Sequence, residues 1–236
     1  MDRELAVVIP TKNEEGDIEP LFQALNKLGI DMKVVFINDA STDKTGEFEE
    51  GLKKKYPNLV DVVHRKQSQG LGKALMDGYK HALSTTDAKF IAQMDGDGQH
   101  DPKYLASMLD AAKDGYGVVL GSRYANEGSV GEWGLRRRMT SWGANLLVER
   151  ALRGCDLHDK TTGYRVFRRD VLETIAKSDI SSSGYVFQID VLALAVKSGA
   201  RVAEIPIEFK PRMSGCSKLK FRDKIEFLLF AIRNTF

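Results

Sequence analysis

The stretch Phe90-Ile91-Ala92-Gln93-Met94-Asp95-Gly96-Asp97-Gly98-Gln99 decides how the rest of the chain is interpreted. An apolar run of strand length leads directly into two carboxylates, and open α/β sheets place their ligand crevice at the carboxyl ends of the strands. Asp95 and Asp97 are two residues apart, so on an extended chain they share a face and can bind one cation. Two carboxylates with substrate phosphates are a common site for Mg²⁺ or Mn²⁺. The alternative is a surface turn, because Asp and Gly are common turn residues.

The composition predicts a globular protein with one large core. The chain has 236 residues, of which 42% are hydrophobic, and this length favours one domain over two. The net charge of +2 hides an asymmetry, since residues 121–170 and 208–236 each carry +4 and the remainder carries −6. A basic second half beside an acidic strand end indicates anionic ligands or a membrane surface and argues against a nucleic-acid-binding protein.

The cysteines and the N-terminus favour a cytoplasmic protein. Cys155 and Cys216 are far apart in the sequence and have no CxxC spacing, so neither a disulfide framework nor a zinc site is supported. The N-terminus lacks the basic segment and long apolar run of a signal peptide. No apolar stretch approaches the roughly 20 residues that a membrane-spanning helix requires.

Apolar strands alternate with helical patterns through the first half of the chain. Strands are predicted at residues 5–10, 32–37, 59–64, 90–99 and 117–121, with helices between them, the second one recognised by the spacing of Phe48 and Leu52. Such an alternation predicts a doubly wound, mainly parallel α/β sheet. After Ser122 the alternation stops. Residues 161–169 alternate apolar and basic side chains, which predicts a half-exposed strand whose charges form a solvated face, and residues 201–207 form a late strand.

Gly70, Gly72 and Lys73 open the third predicted helix. A Walker A loop would require Gly at position 67 and Ser or Thr at position 74, where the chain has Gln67 and Ala74. A dinucleotide-binding fingerprint would require Gly at position 75, which is Leu. Two interpretations stay open, a helix N-terminus that faces a nucleotide and a plain tight turn.

The last segment, residues 217–236, predicts an amphipathic helix that is too short to span a bilayer. Its basic residues, for example Lys218 and Lys220, suit an interfacial helix on anionic lipid. A helix packed on its own domain is the alternative.

Five motifs in order carry a family resemblance. They are Pro10-Thr11-Lys12-Asn13-Glu14, Asn38-Asp39-Ala40-Ser41-Thr42-Asp43, Gly70-Leu71-Gly72-Lys73-Ala74, Met94-Asp95-Gly96-Asp97-Gly98-Gln99-His100 and Thr162-Gly163-Tyr164-Arg165-Val166-Phe167-Arg168-Arg169. Over essentially its whole length the chain resembles the dolichol-phosphate mannosyltransferases of glycosyltransferase family 2. The resemblance implies a single GT-A domain over residues 1–236, with a Rossmann-like, mostly parallel sheet flanked by helices. Within it, residues 1–121 would be the nucleotide-binding half, 122–216 the acceptor half and 217–236 the interfacial helix.

The resemblance also implies an activity and partners. The reaction would be an inverting transfer of mannose from GDP-mannose to dolichyl or another polyprenyl phosphate, dependent on Mg²⁺ or Mn²⁺. The enzyme would work peripherally at the cytoplasmic face of a membrane, with a possible membrane-anchoring partner subunit. Alternatives are UDP-glucose or another nucleotide sugar as donor, a glycan hydroxyl as acceptor, and a non-catalytic nucleotide-sugar-binding subunit.

Site residues follow from the resemblance, position by position. The sugar nucleotide would be bound by Pro10, Asn13, Glu14, Asp39, Gly72, Lys73, Asp95, Asp97, Gln99 and Arg123. The metal ligands would be Asp95, Asp97 and Gln99, and the acceptor phosphate would contact Arg123, Arg137, Ser141, Arg212 and Lys218. Catalytic roles would fall to Asp97, Arg123, Arg137 and Asp190. The chain departs from the family at Asn38, where many members carry Asp.

The role of Asp190 depends on the acceptor. A hydroxyl acceptor needs a general base, because its proton has to leave as the new bond forms. A phosphate acceptor is already mostly ionised near neutral pH and needs positioning by arginines. Asp190 is therefore either the base for a hydroxyl or a residue that orients an arginine.

Overall fold

The predicted alternation of strands and helices is present in the computed structural model, which describes residues 3–125, 157–180, 182 and 184–209. The first half contains β1 (Leu5–Thr11), α1 (Ile18–Asn26), β2 (Met32–Asn38), α2 (Thr45–Lys55), β3 (Val60–His64), α3 (Leu71–Thr85), β4 (Phe90–Gln93), a 3₁₀ turn (Pro102–Tyr104), α4 (Leu105–Lys113) and β5 (Val118–Ser122). The second half adds β6 (Arg165–Arg168), α5 (Arg169–Ala176), α6 (Gly184–Lys197) and β7 (Val202–Pro206).

The described strands form a seven-stranded sheet in the order β3-β2-β1-β4-β6-β5-β7. β6 runs antiparallel to both β4 and β5, and every other pairing is parallel. The prediction of a mainly parallel sheet is confirmed. Because β1 lies between β2 and β4, the carboxyl ends of these three strands are neighbours, with Thr11 opposite Asn38 in the register.

β1 is buried on both faces, which is why its sequence is continuously apolar. Val7 belongs to a core cluster that also contains Phe22 of α1 and Leu109 of α4. Val8 points to the opposite face, into a second cluster with Tyr79 of α3. Successive residues of a strand alternate between faces, so β1 joins two helical layers through one sheet.

The prediction of a solvated basic face on residues 161–169 is wrong for Arg165. This side chain is 0% exposed, because α6 and the loop before β6 cover it. Its guanidinium donates to three backbone oxygens, those of Thr162 at 2.9 Å, Gln188 at 2.7 Å and Lys160 at 3.1 Å. Arg168, at the other end of β6, has a side chain that is 42% exposed, as predicted. Arg165 thus fastens the loop before β6 to α6.

α2 is a helix as predicted, and Leu52 of the predicted pair is buried, but Phe48 is not. Phe48, which suggested the helix, is 38% exposed. The buried residues are Thr45, Glu49 and Leu52, spaced four and three residues apart on one side of the helix. The sequence did not reveal this buried face, because two of its three side chains are polar.

Three predicted features involve segments outside the described residues: the helix at residues 217–236, the basic segment around Arg137 and the boundary of the acceptor half. In the described ranges, no helix has both the length and the apolar character needed to cross a membrane.

Candidate active site

The polar loops after β1 and β4 are in direct contact. A side chain at Gly96 would lie 2.6 Å from Glu14 Oε2 and 3.3 Å from the backbone oxygen of Pro10. A side chain at position 96 would therefore require the Glu14 carboxylate to move. The loop that carries Asp95 and Asp97 therefore packs directly on the loop that carries Glu14.

The loop of residues 94–100 holds the predicted metal ligands. Asp97 and Gln99 are buried, whereas the Asp95 side chain is 35% exposed. The Gln99 N–H donates to Asp97 Oδ1 at 3.2 Å, and the Asp95 N–H donates to Nδ1 of His100 at 2.9 Å. His100 is itself buried and stacks on Tyr164, with 5.0 Å between ring centroids. The ring of His100 thereby fixes the backbone of the first carboxylate.

The oxygen donors of this loop fit a small divalent cation. Mg²⁺ is commonly held by one or two carboxylates together with phosphate oxygens and water, and carboxylate, carbonyl and water ligands also suit Mn²⁺. Asp95, Asp97 and the amide oxygen of Gln99 offer such ligands on one short loop. In the part of the chain that the structure describes, no group of three or more His, Cys, Asp and Glu side chains is arranged to hold a metal ion.

Asn13 and Glu14 connect the β1 loop to the β2 loop. Asn13 has a positive φ of 52°, and its Oδ1 accepts the Thr42 N–H at 2.8 Å. The Glu14 N–H donates to Thr45 Oγ1 at 2.8 Å. Pro10 lies in β1 opposite Ile37. The loops after β1 and β2, which carry the predicted nucleoside-binding residues, are therefore joined by hydrogen bonds.

Asp39 is held by two residues that the sequence analysis missed. Its Oδ1 accepts from Arg65, and its Oδ2 accepts from Ser68 Oγ at 2.5 Å. Arg65 Nε also donates to Asp77 Oδ2 at 2.8 Å. Arg65 directly follows β3, so the rule that ligand-binding side chains follow strand ends could have identified it. A base that binds to Asp39 would meet a guanidinium beside the carboxylate.

Glu49 is a third missed residue. It is fully buried, and its two oxygens accept hydrogen bonds from Thr11 Oγ1 and from Asn38 Nδ2, the latter at 2.7 Å. Burial raises the pKa of Glu49, and the two hydrogen bonds offset only part of that shift. A charged residue in the middle of a helix gave no sequence signal, because Glu is usually a solvated helix residue.

Gly72 and Lys73 differ in their surroundings. A side chain at Gly72 would lie 2.8 Å from both the Phe187 ring and the Ser182 backbone oxygen, so the close approach that this glycine permits is to α6 and the segment before it. Lys73 is exposed in the first turn of α3. The sequence analysis proposed both residues for nucleotide binding. Lys73 has an exposed side chain, whereas Gly72 is buried.

Arg123, immediately after β5, forms a buried ion pair with Asp159. The guanidinium donates through Nε to Asp159 Oδ2 at 2.6 Å and through Nη2 to Oδ1 at 2.8 Å. Burial alone would raise the pKa of Asp159, but the charge of Arg123 and its hydrogen bonds hold that pKa below the ordinary value. The Arg123 guanidinium also lies 5.4 Å from the ring centroid of Phe209.

The carboxylate that orients Arg123 is therefore Asp159, which the sequence analysis did not single out. Glu204 of β7 supports it, because Oε1 accepts the Asp159 N–H and Oε2 accepts the His158 N–H, both at 2.8 Å. Asp190 is half-buried on α6. The other predicted phosphate-binding residues lie outside the described residues: Arg137, Ser141, Arg212 and Lys218.

Comparison with known proteins identifies the family. The sequence matches glycosyl transferase family 2 over residues 6–176. It is 38% identical over 213 residues to a polyprenol monophosphomannose synthase of Mycolicibacterium smegmatis, covering 90% of this chain and 80% of that protein. It is 32% identical over 227 residues to a dolichol-phosphate mannosyltransferase of Pyrococcus furiosus, covering 95% of this chain and 61% of the relative.

The fold agrees with this relationship. A mannosyltransferase from Pyrobaculum calidifontis, solved in complex with GDP-Man and Mn²⁺, superimposes with a TM-score of 0.65 at 18% identity, covering 99% of this chain and 65% of the other. The predicted GT-A fold and the predicted resemblance are confirmed. The chain is a glycosyltransferase and belongs to glycosyl transferase family 2.

Proposed function

We propose that the protein transfers mannose from GDP-mannose to a polyprenyl phosphate such as dolichyl phosphate, with inversion at the anomeric carbon. The observation that carries the proposal is the 38% identity with a polyprenol monophosphomannose synthase over 90% of this chain. The acceptor is a lipid, so the enzyme works at the membrane surface that contains it, with or without an anchoring subunit.

The donor half of the site has a defined role for each loop in this proposal. Pro10, Asn13, Glu14 and Asp39 hold the nucleoside, and Lys73 has the charge to approach a phosphate. Asp95, Asp97 and Gln99 hold Mg²⁺ or Mn²⁺, which when bound neutralises the charge that develops on the leaving nucleoside diphosphate.

The acceptor half follows from the chemistry of a phosphate nucleophile. A phosphate monoester is largely dianionic near neutral pH, since its second pKa is about 6. It therefore needs no base, and arginines can hold it through paired N–H donors. Arg123, Arg137, Ser141, Arg212 and Lys218 are proposed to contact the acceptor phosphate. Asp159 binds the Nε edge of Arg123, which fixes the plane in which the guanidinium would meet a phosphate. Because no base is needed, Asp190 would orient an arginine.

A transfer assay tests the proposal directly. Radiolabelled GDP-mannose is incubated with dolichyl phosphate, and the label in the organic-solvent extract is counted with Mg²⁺, with Mn²⁺ and with EDTA. Asp95→Asn and Asp97→Asn are each expected to lower the rate by about 10²-fold or more, as for the loss of a group that stabilises a developing anion. Asp110→Asn is the matched control, because its side chain is 74% exposed on α4.

Three results would contradict parts of this function. Absence of lipid product with GDP-mannose, when UDP-glucose gives product, would replace the donor. Full activity in EDTA would remove the metal. No lipid product with any common sugar nucleotide would remove the polyprenyl-phosphate acceptor itself.

A further inference from the structure

α2 contacts the loops proposed to bind the nucleoside through the side chains of Thr45 and Glu49, which are one helical turn apart. Thr45 Oγ1 accepts the Glu14 N–H at 2.8 Å. Glu49 accepts from Thr11 at the end of β1 and from Asn38 at the end of β2. Because Thr11 and Asn38 are opposite each other in the register, one buried carboxylate joins the two strand ends.

The geometry also fixes which way the Asn38 amide points. Asn38 Oδ1 accepts the Ser41 N–H at 2.9 Å, and Nδ2 donates to Glu49 Oε2 at 2.7 Å. Both contacts require this one orientation, since an amide oxygen cannot donate and an amide nitrogen cannot accept. An aspartate at position 38 would satisfy Ser41 but would place an oxygen against the Glu49 carboxylate.

We infer that Asn38 and Glu49 are a matched amide and carboxylate pair, and that Glu49 is a positioning residue for the nucleoside site. This inference rests on the proposed function, because it assumes that the loops carrying Asn13, Glu14 and Asp39 bind the donor nucleoside. The link to those loops is short. Asp39 follows Asn38 directly, and its N–H donates to the Thr11 backbone oxygen at 2.9 Å.

The pair also accounts for an amide, and not a second carboxylate, at position 38. Two ionised carboxylates in contact repel each other inside a protein. With Glu49 fully buried, this point accommodates only one ionised carboxylate without strong repulsion, and that carboxylate is on α2.

A double-mutant cycle separates the pair from its parts. The four proteins are wild type, Asn38→Asp, Glu49→Gln and the double variant, each measured by urea unfolding at pH 8. In the double variant the groups are exchanged, so the amide introduced at position 49 can donate to the carboxylate introduced at position 38 and accept from Thr11. Asn26→Asp, on an exposed residue at the end of α1, is the control for the chemical change itself.

Asn38→Asp is expected to raise the unfolding equilibrium constant about tenfold or more. Adding Glu49→Gln to that variant is expected to reverse most of the rise. The control should change it less than about threefold, as surface substitutions do. Equal unfolding constants for Asn38→Asp and wild type would overturn the pair, and so would a double variant no more stable than Asn38→Asp.

Calorimetry on the same proteins tests positioning. With Mn²⁺ present, Asn38→Asp is expected to weaken GDP binding about tenfold and the double variant to recover it, whereas the affinity for inorganic pyrophosphate stays unchanged. Equal weakening of GDP and pyrophosphate would contradict a role at the nucleoside loops. If the wild type binds neither GDP nor UDP, the proposed donor site and the positioning role both fail, while the unfolding cycle still decides whether the pair exists.

Discussion

Two buried carboxylates, Glu49 in the proposed nucleotide-binding half and Asp159 in the proposed acceptor half, have pKa values shifted in opposite directions. Both are 0% exposed, so neither is stabilised by direct contact with water. Glu49 is surrounded by neutral donors, Thr11 and Asn38, and burial raises its pKa. Asp159 receives the guanidinium of Arg123, and its pKa is lowered despite burial.

We propose that the difference is related to the ligand that each half of the site binds. The hydrogen-bond partners of Glu49 are neutral, so this carboxylate joins the two strand ends without a cation of its own. A carboxylate paired with arginine neutralises only part of a basic region and fixes the direction of the guanidinium. In our proposal that region binds phosphate, so Asp159 orients a charge whereas Glu49 orients backbone.

The largest effect on stability is expected when Arg123 loses the carboxylate of Asp159. Asp159→Asn would leave Arg123 buried without an anion at Nε and Nη2, and breaking such a pair costs about 3–5 kcal/mol of unfolding free energy. Urea unfolding at pH 7 measures it. The transfer rate should fall as well, because the guanidinium loses its fixed direction.

The matched control for this variant is Asp170→Asn. Asp170 also binds an arginine through both oxygens, with Arg168 Nε at 2.6 Å and Nη2 at 2.8 Å. The side chains of Arg168 and Asp170 are 42% and 63% exposed, so solvent screens the pair and about 0–1 kcal/mol is expected. Similar losses for the two variants would show that burial does not decide the strength of the Asp159 pair.

The sequence predicted the strands and the positions of the polar loops well, because both depend on local patterns. Residues 5–10 are continuously apolar and form a strand buried on both faces, and the polar loops after β1, β2 and β4 meet at one sheet edge. The three predicted metal ligands lie together on one loop. The assigned chemical roles of the individual residues stay predictions until they are tested.

The residues missed by the sequence analysis are those that depend on distant contacts. Asp159 and Arg123 are 36 positions apart, and no short motif joins them. Glu49 and Arg165 resemble solvated charges when considered within their own helix or strand, yet both are fully buried because elements from elsewhere in the chain cover them. Local periodicity identifies apolar burial but gives no signal for a charge buried with its partners.

An intermediate effect is expected in the pH dependence of stability. Since the folded-state pKa of Glu49 is raised above its ordinary 4.5, the folded protein binds more protons than the unfolded chain between these two values. The Glu49 contribution to the unfolding free energy is therefore favourable at low pH and is lost as the pH rises through that window, by at most about 1.4 kcal/mol per pH unit.

Comparison of wild type with Glu49→Gln isolates this contribution. The difference in unfolding free energy, measured in urea from pH 4.5 to 8, should favour the variant increasingly with pH and then level off. His64 and Glu50 also act on Glu49 electrostatically, so the series is repeated in His64→Gln. A difference that is constant over the whole range would mean that Glu49 has the same pKa in the folded and unfolded states.

The contribution of Asp159 to stability should have the opposite pH dependence. Asp159 has a lowered pKa, so its contribution is present above its ordinary pKa and is lost in acid.

The smallest effect is expected for Glu204→Gln. This variant keeps one oxygen for the backbone N–H groups of residues 158 and 159 but presents N–H to the other, and a loss of about 1 kcal/mol of unfolding free energy is expected. If Glu204 acts by holding the Asp159 backbone for Arg123, this loss should shrink in the Asp159→Asn background. Unfolding of the two single variants and the double variant measures the coupling. Strictly additive losses would show that Glu204 stabilises β7 independently of the ion pair.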